Sequence, residues 1–250
     1  MIYAVRYSNN VLVIHYDDNI HYYYNRENLR IITGDDHGDL HTILVDKAFL
    51  INIKRIETII IDPLLVNHKL KSCVSLFSGF TNLKRIIGLE YLNTSEVVSM
   101  KYMFSDCSNL TSLNLKGLDT SKVNEMRVMF GGCKNLTGLD LSNFDTSKVT
   151  DMYAMFSECK SLTSLDLRNF NTSGVKDMGH MFSNCISLTE LNVINFNILK
   201  ANMNWMFSNC ENLKTVHTGN GWDISRKFSD EMFKNCPNLV GNNVQKLTLL

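Results

Sequence analysis

Residues 149–159 read VTDMYAMFSEC, and similar stretches end at Cys133 and Cys185. The methionine of their shared Met-Phe pair recurs almost regularly: Met103, Met129, Met155 and Met181 lie 26 residues apart, Met206 follows after 25 and Met232 after 26. A fixed period of about 20 to 50 residues indicates a solenoid, because one short unit cannot bury its apolar face alone. The sequence therefore predicts one stacked array over residues 73–240, with about six to seven repeats.

The two halves of each repeat carry different apolar patterns. In the first half, Val149, Met152, Met155, Phe156 and Cys159 recur three and four residues apart, which is typical of one helix face. In the second half, Leu162, Leu165 and Leu167 are followed by Phe170, and the last two leucines alternate with polar residues as in a strand. We therefore predict an α/β solenoid resembling a leucine-rich repeat, with a short helix and a short parallel strand in each unit.

The recurring Met, Phe and Cys are predicted to form a structural ladder through the core. Its members are Met103, Cys107, Met129, Phe130, Cys133, Met155, Phe156, Cys159, Met181, Phe182, Cys185, Met206, Phe207, Cys210, Met232, Phe233 and Cys236. Met fills irregular gaps, and free Cys behaves as a small buried residue. Disulfides and a metal column are less favoured alternatives, because stacked side chains point the same way and Phe80 replaces Cys in the first copy.

Residues 1–72 do not fit the repeat and are predicted to form a β-rich cap over the end of the solenoid. YAVRY (3–7), VLVIHY (11–16) and IHYYYN (20–25) are interpreted as strands, and the apolar run 56–66 as the first buried strand leading into the stack. DDHGDLH (35–41) is interpreted as a solvated loop, with a zinc site as the less favoured alternative. Residues 241–250 are predicted to be a short tail.

Composition and motifs argue against several classes of function. The formal net charge is zero, which is unlike a nucleic-acid binder, and no apolar run is long enough for a membrane-spanning segment. No GxSxG, Walker or HExxH motif occurs, and cysteines buried in an apolar ladder are poor nucleophiles. We therefore predict no catalytic residue, no cofactor, no metal, no nucleic-acid partner and no membrane insertion.

The outward positions of the predicted strands are the candidate partner-binding residues. They are Ser112, Asn114, Lys116, Asp140, Ser142, Ser164, Asp166, Arg168, Glu190 and Asn192. Repeat proteins commonly bind along the surface that their stacked units share, so a protein partner is expected there; the alternative is a merely solvated sheet face. A second polar column, Asp119, Asp145, Asn171 and Asn197, is interpreted as a set of Asx turns, with calcium ligation as the less favoured alternative.

IIGLEYLNTSEVVSMKYMF (86–104) and the following LTSLNLKGLDTSKVNEM, LTGLDLSNFDTSKVTDM and LTSLDLRNFNTSGVKDM resemble the BspA-like leucine-rich-repeat family of bacterial surface proteins. This resemblance implies a surface or secreted adhesin-like module that binds a host, matrix or cell-surface protein. The N-terminus lacks the pattern of a signal peptide, which favours an intracellular scaffold or effector as the alternative. A third hypothesis is an enzyme with its site in the Tyr- and His-containing N-terminal segment, which would require loss of turnover on replacing His37 or His41.

Overall fold

The structure is a computed structural model that describes residues 2–7, 9–16, 30–33, 53–219, 222 and 231–239. The strands are β1 (Ile2–Arg6), β2 (Val11–Tyr16), β3 (Arg30–Thr33), β4 (Thr58–Ile61), β5 (Arg85–Ile87), β6 (Glu190–Val193) and β7 (Thr215–Thr218), and two 3-10 helices span Pro63–Asn67 and Leu89–Tyr91. One sheet has the order β3-β1-β2-β4-β5 and the other pairs β6 with β7. The predicted strand at 20–25, the 35–41 loop and the 241–250 tail lie outside the described residues.

The first sheet joins the N-terminal segment to the repeats. β1 and β2 pair antiparallel, with Ala4 opposite Ile14, and β2 then pairs parallel with β4. Alternate side chains of β2, Leu12 and Ile14, are completely buried, as expected for a strand with one face on the core. β1 and β2 confirm their predictions, and β3 was not predicted. The predicted buried strand over 56–66 is confirmed only at β4, because a 3-10 helix begins at Pro63.

The predicted helix in each repeat is wrong. We call the segments 99–107, 125–133, 151–159, 177–185 and 202–210 the turn runs. In the second of them, the amides of Met129, Gly131 and Cys133 donate to the carbonyl three residues earlier, over 3.2, 3.1 and 3.1 Å. The alternating amides of Met126, Val128, Phe130 and Gly132 donate instead to carbonyls of the next repeat, over 2.8 to 2.9 Å. Each turn run is thus a series of successive turns that is hydrogen-bonded to the equivalent run of the next repeat.

Each turn run contains two residues with positive φ, a backbone conformation that interrupts an α-helix. The first column of such residues is Ser75, Tyr102, Val128, Ala154, His180, Trp205 and Glu231, and the second is Gly79, Asp106, Gly132, Glu158, Asn184, Asn209 and Asn235. Gly, Asn and Asp, which dominate the second column, tolerate this conformation best. Turns that close over three residues give the same inward spacing as a helix, and this explains the incorrect prediction.

The leucine segments, 110–115, 136–141, 162–167, 188–193 and 213–218, form regular strands only in part. β6 and β7 are two of these segments in parallel pairing, and Asp166 forms a single bridge to Asn192. Residues 110–115 and 136–141 have no strand structure. The prediction of a parallel strand is therefore correct near the C-terminal end of the described stack and wrong in its middle.

The core consists of columns of identical side chains. The rings of Phe77, Phe104, Phe130, Phe156, Phe182, Phe207 and Phe233 stack with centroids 5.2 to 5.7 Å apart. Beside them, each thiol of the Cys column donates to a phenylalanine carbonyl of the preceding repeat, as from Cys133 to Phe104 over 3.1 Å. All predicted ladder residues from Met103 to Cys210 are completely buried, Met232 is 3% exposed, and Phe233 and Cys236 are half-buried.

A buried threonine, in the stretch that follows the leucine segment, forms hydrogen bonds to the backbone of the next repeat. We call each repeat of the stack a coil. The Thr146 hydroxyl donates to the carbonyl of Asn171 over 3.1 Å and accepts the amide of the same residue over 2.8 Å. Thr94, Thr120 and Thr172 make the same pair of bonds to the following repeat. Ile198 stands at the next position of the column, so this ladder of hydroxyl bridges ends there.

The repeat register extends upstream of the predicted boundary. Ile56 donates to the carbonyl of Ile53 as Leu83 does to that of Phe80, and Lys84 donates to the carbonyl of Glu57. The predicted division after residue 72 remains a prediction about folding units. Within the described ranges, no helix combines the length and apolarity required to cross a membrane.

Replacing Gly132 by Ala distinguishes the observed turns from a helix by the sign of the effect. In a helix the change stabilises by about 1 kcal/mol, whereas here Gly132 has φ +77° and its new Cβ meets the Asp106 carboxylate. We expect a loss of about 1 to 2 kcal/mol in the free energy of unfolding, measured by denaturant titration. Gly138→Ala is the control, because no atom lies within 4 Å of its Cβ position; a stabilised Gly132→Ala protein would contradict the turn structure.

Candidate protein-binding face

The ten predicted partner-binding residues lie on four successive leucine segments and the turns that follow them. Nine are exposed, and Asn192 is half-buried. We call this surface the leucine face, and it also includes Leu139, Leu141 and Asn169, which the sequence analysis did not select. The repeat brings these side chains together in columns, because equivalent positions of neighbouring coils lie side by side.

The middle column of the leucine face has a structural role. The side-chain oxygens of Asn114, Asp140, Asp166 and Asn192 accept the backbone amide two residues later, over 3.3, 3.1, 3.1 and 3.1 Å. These are Asx turns, in which a short polar side chain substitutes for a backbone turn. The column therefore turns the chain at the end of each leucine segment and holds its own side chains in fixed orientations.

A depression of about 390 Å³ opens in the leucine face. It is lined by Leu139, Asp140, Leu141, Ser142, Asp166, Arg168 and Asn169. It lies beside the 136–141 segment, which has no strand structure. Leu139 is half-buried, so the depression combines an apolar floor with a polar rim, and four of its seven lining residues were predicted from the sequence.

The charges of the leucine face are nearly balanced, and Asp166 and Arg168 form an ion pair. Arg168 Nε lies 3.0 Å from Asp166 Oδ1, and Arg168 Nη2 lies 2.7 Å from Asp166 Oδ2. These hydrogen bonds lower the pKa of Asp166 to about 2. Hydrogen bonds from Ser142 lower the pKa of Asp140, with a smaller contribution from Lys116. The face is thus suited to hydrogen-bonded recognition more than to attraction by a large net charge.

The second polar column also forms Asx turns. Asp119, Asp145 and Asn171 accept the amide of the serine two residues later, over 2.9 to 3.0 Å, and Asn197 accepts that of Leu199 over 3.1 Å. This agrees with the structural interpretation of the column. Among the residues that the structure describes, no three His, Cys, Asp or Glu side chains are grouped as metal ligands.

None of the seven cysteines forms a disulfide, and all but Cys236 are buried. Burial raises the pKa of Cys133 and Cys185 to about 12 and that of Cys107 and Cys159 well above its ordinary value. Cys236 differs, since it is half-buried whereas the other six cysteines are buried. Because the thiolate is the reactive form, reactivity should concentrate at Cys236.

Alkylation of the native protein at about pH 8, near the ordinary pKa of a thiol, should therefore modify Cys236 first. We expect peptide mass spectrometry to find Cys107, Cys133, Cys159 and Cys185 labelled only after unfolding. Rapid labelling of Cys133 or Cys159 in the folded protein would contradict the buried ladder.

Arg168→Gln should raise the pKa of Asp166 from about 2 towards 3.8, because it removes the guanidinium that stabilises the carboxylate. In the wild type the paired carboxylate favours the folded state above pH 3.8, and this contribution is lost as the pH falls towards 2. NMR titration of the carboxyl carbon measures the shift. The carboxyl of Asp140 serves as the control: its pKa is lowered by Ser142 and not by Arg168, so it should not change. An unchanged pKa of Asp166 would show that the ion pair does not form in solution.

This chain is similar to a protein family and to a solved structure. A family model described as "Mycoplasma protein of unknown function, DUF285" matches residues 67–139 and 129–246. The crystal structure of a leucine-rich repeat protein from Eubacterium ventriosum is similar over 99% of this chain and 90% of that chain, with 14% sequence identity and a TM-score of 0.31. No curated protein sequence matches. Because the two family matches together span well over half of its residues, the chain belongs to the DUF285 family.

Proposed function

We propose that this protein is a non-catalytic interaction module that binds a protein partner through the leucine face. The observation that carries the proposal is the depression between coils, flanked by exposed polar columns that the 26-residue period repeats. A stack of similar coils presents such side chains over a broad surface, which is how repeat proteins commonly bind. The partner is a host, matrix or other cell-surface protein, and the module acts as an adhesin.

The leucine face has the anatomy of a binding surface. Leu139 and Leu141 form an apolar centre, and Ser142, Asp166 and Arg168 surround it with hydrogen-bonding groups. Protein interfaces commonly combine a desolvated centre with a polar rim. Asx turns and the Asp166–Arg168 ion pair already restrict these side chains, so a partner loses less conformational entropy on ordering them.

The surface location rests on the sequence resemblance to BspA-like surface proteins. One observation favours the alternative, an intracellular scaffold that uses the same face. None of the seven cysteines forms a disulfide, and disulfides are rare in proteins kept in a reducing compartment. Protease shaving of intact cells decides between the two locations, since a surface module is digested and an intracellular one is protected.

The binding proposal is tested by charge reversal on the leucine face. Lys116→Glu/Arg168→Glu changes two exposed residues of the face, and Lys148→Glu/Lys176→Glu makes the same charge change on exposed residues elsewhere. Immobilised wild-type and variant proteins are exposed to host-cell surface and matrix proteins, and retained proteins are identified by mass spectrometry and retested in purified form. We expect a purified partner to lose at least about tenfold in affinity for the first variant only.

An equal loss of affinity in both double variants would indicate that the partner responds only to the net charge of the protein. Unchanged affinity in both variants would show that the leucine face is not the binding site. Detection of the same partner by the Lys148→Glu/Lys176→Glu protein is therefore part of the expected result. The far-UV circular dichroism of both variants should match the wild type, because all four side chains are exposed.

A further inference from the structure

Three aromatic side chains line up across successive turn runs, away from the leucine segments. Tyr153 and His180 have ring centroids 5.4 Å apart, and His180 lies 5.4 Å from Trp205. All three are half-buried, so each retains some exposed ring surface. We call Tyr153, His180 and Trp205 the aromatic row.

Cations of the chain itself already lie on both ends of this row. The guanidinium carbon of Arg127 is 3.9 Å from the ring centroid of Tyr153, and Lys234 Nζ is 5.5 Å from that of Trp205. Both distances are within the range of a cation–π interaction, in which the negative face of the ring attracts the charge. The intramolecular contacts thus identify the chemistry that these rings accept.

Three acidic residues, Glu125, Asp151 and Asp177, occupy one column of the turn runs, and their backbones form isolated β-bridges from one repeat to the next. Arg127 Nη1 lies 3.4 Å from Asp151 Oδ2 but 3.9 Å from Asp177 Oδ2, which is too long for a hydrogen bond. One guanidinium therefore serves two carboxylates, and the negative charge beside the row is incompletely balanced.

Asp177 precedes His180, the middle residue of the row, by three positions, and its charge acts on the His180 ring. Its Oδ1 accepts the amide of Gly179 over 2.9 Å and the side-chain amide of Asn202 over 3.0 Å, which fixes the group in place. Oδ2 is thus positioned to accept a further charged donor. Burial lowers the pKa of His180, which favours the neutral form of its ring and reduces repulsion of a cation.

We propose that the aromatic row and Asp177 bind an arginine or lysine side chain of a basic segment in a partner protein. The ring faces of His180 and Trp205 hold the cation, and Asp177 Oδ2 accepts a charge-assisted hydrogen bond from it. This site lies on the turn runs and is independent of the leucine face, so the two binding proposals stand or fall separately.

The test uses fluorescein-labelled hexa-arginine as the probe and fluorescence anisotropy of the full chain at an ionic strength of about 0.15 M. We expect binding to the wild type, and affinities about tenfold weaker for Trp205→Ala and for Asp177→Asn. Trp205→Phe keeps a ring and should retain most of the affinity. Glu90→Gln removes one exposed carboxylate that belongs neither to the turn runs nor to the leucine face, and it should change the affinity less than about twofold.

Several results would overturn the proposal. They are absence of hexa-arginine binding to the wild type, equal affinity for labelled hexa-glutamate, and the same loss of affinity in the Glu90→Gln control as in Asp177→Asn. The last of these would indicate a diffuse attraction of a polycation. Thermal unfolding of each variant checks the fold, and if Trp205→Ala does not fold, Asp177→Asn and Trp205→Phe still decide between the outcomes.

Discussion

The backbone hydrogen bonds that alternate within and between coils are the constraint on which the rest of this structure depends. In each turn run, one set of amides closes local turns while the residues between them donate to the next coil, as from Phe130 to Met155 over 2.9 Å. Neither half of the pattern is sufficient alone, because a single turn run would leave the second set of amides unpaired in an apolar surrounding. Stacking therefore satisfies the backbone and buries the side chains in the same step.

The fixed register between coils explains the repetition of side chains. Once Met126 is bonded to Asp151 of the next coil, every equivalent residue lies next to its counterpart one repeat away. Phenylalanine rings then stack on phenylalanine rings, and each thiol donates to the carbonyl of the phenylalanine one repeat earlier. Outside the core the same register aligns polar side chains, so the leucine face and the aromatic row are both products of the backbone ladder.

The sequence predicted the stack, its period and its buried columns, because these depend on residue type at a constant spacing. It did not predict the turns, because inward positions such as Met152, Met155 and Phe156 have the same spacing in a helix and in a chain of turns. A readable signal was present in the residue before each Cys, which is Asp106, Gly132, Glu158, Asn184, Asn209 or Asn235. Gly, Asp and Asn are frequent at positive φ and unfavourable inside helices.

The candidate sites differ in how far a sequence can reveal them. The exposure of most of the leucine face could be predicted, because apolar and polar residues alternate along the leucine segments. The Asx turns of Asp140 and Asp166 and the neighbouring depression could not, because they depend on the path of the backbone. The aromatic row has no repeating pattern, since Tyr153 comes from one position of the repeat and His180 and Trp205 from another. Only the stacking of coils brings them into one line.

The most direct test of the backbone ladder is the detection of scalar couplings across hydrogen bonds by NMR on deuterated protein. The structure predicts couplings from the amide nitrogen of Met126 to the carbonyl carbon of Asp151, and from that of Phe130 to Met155. A helix would instead couple Phe130 to the carbonyl of Met126, four residues earlier. Observation of this second coupling, without those between coils, would contradict the stacked-turn structure.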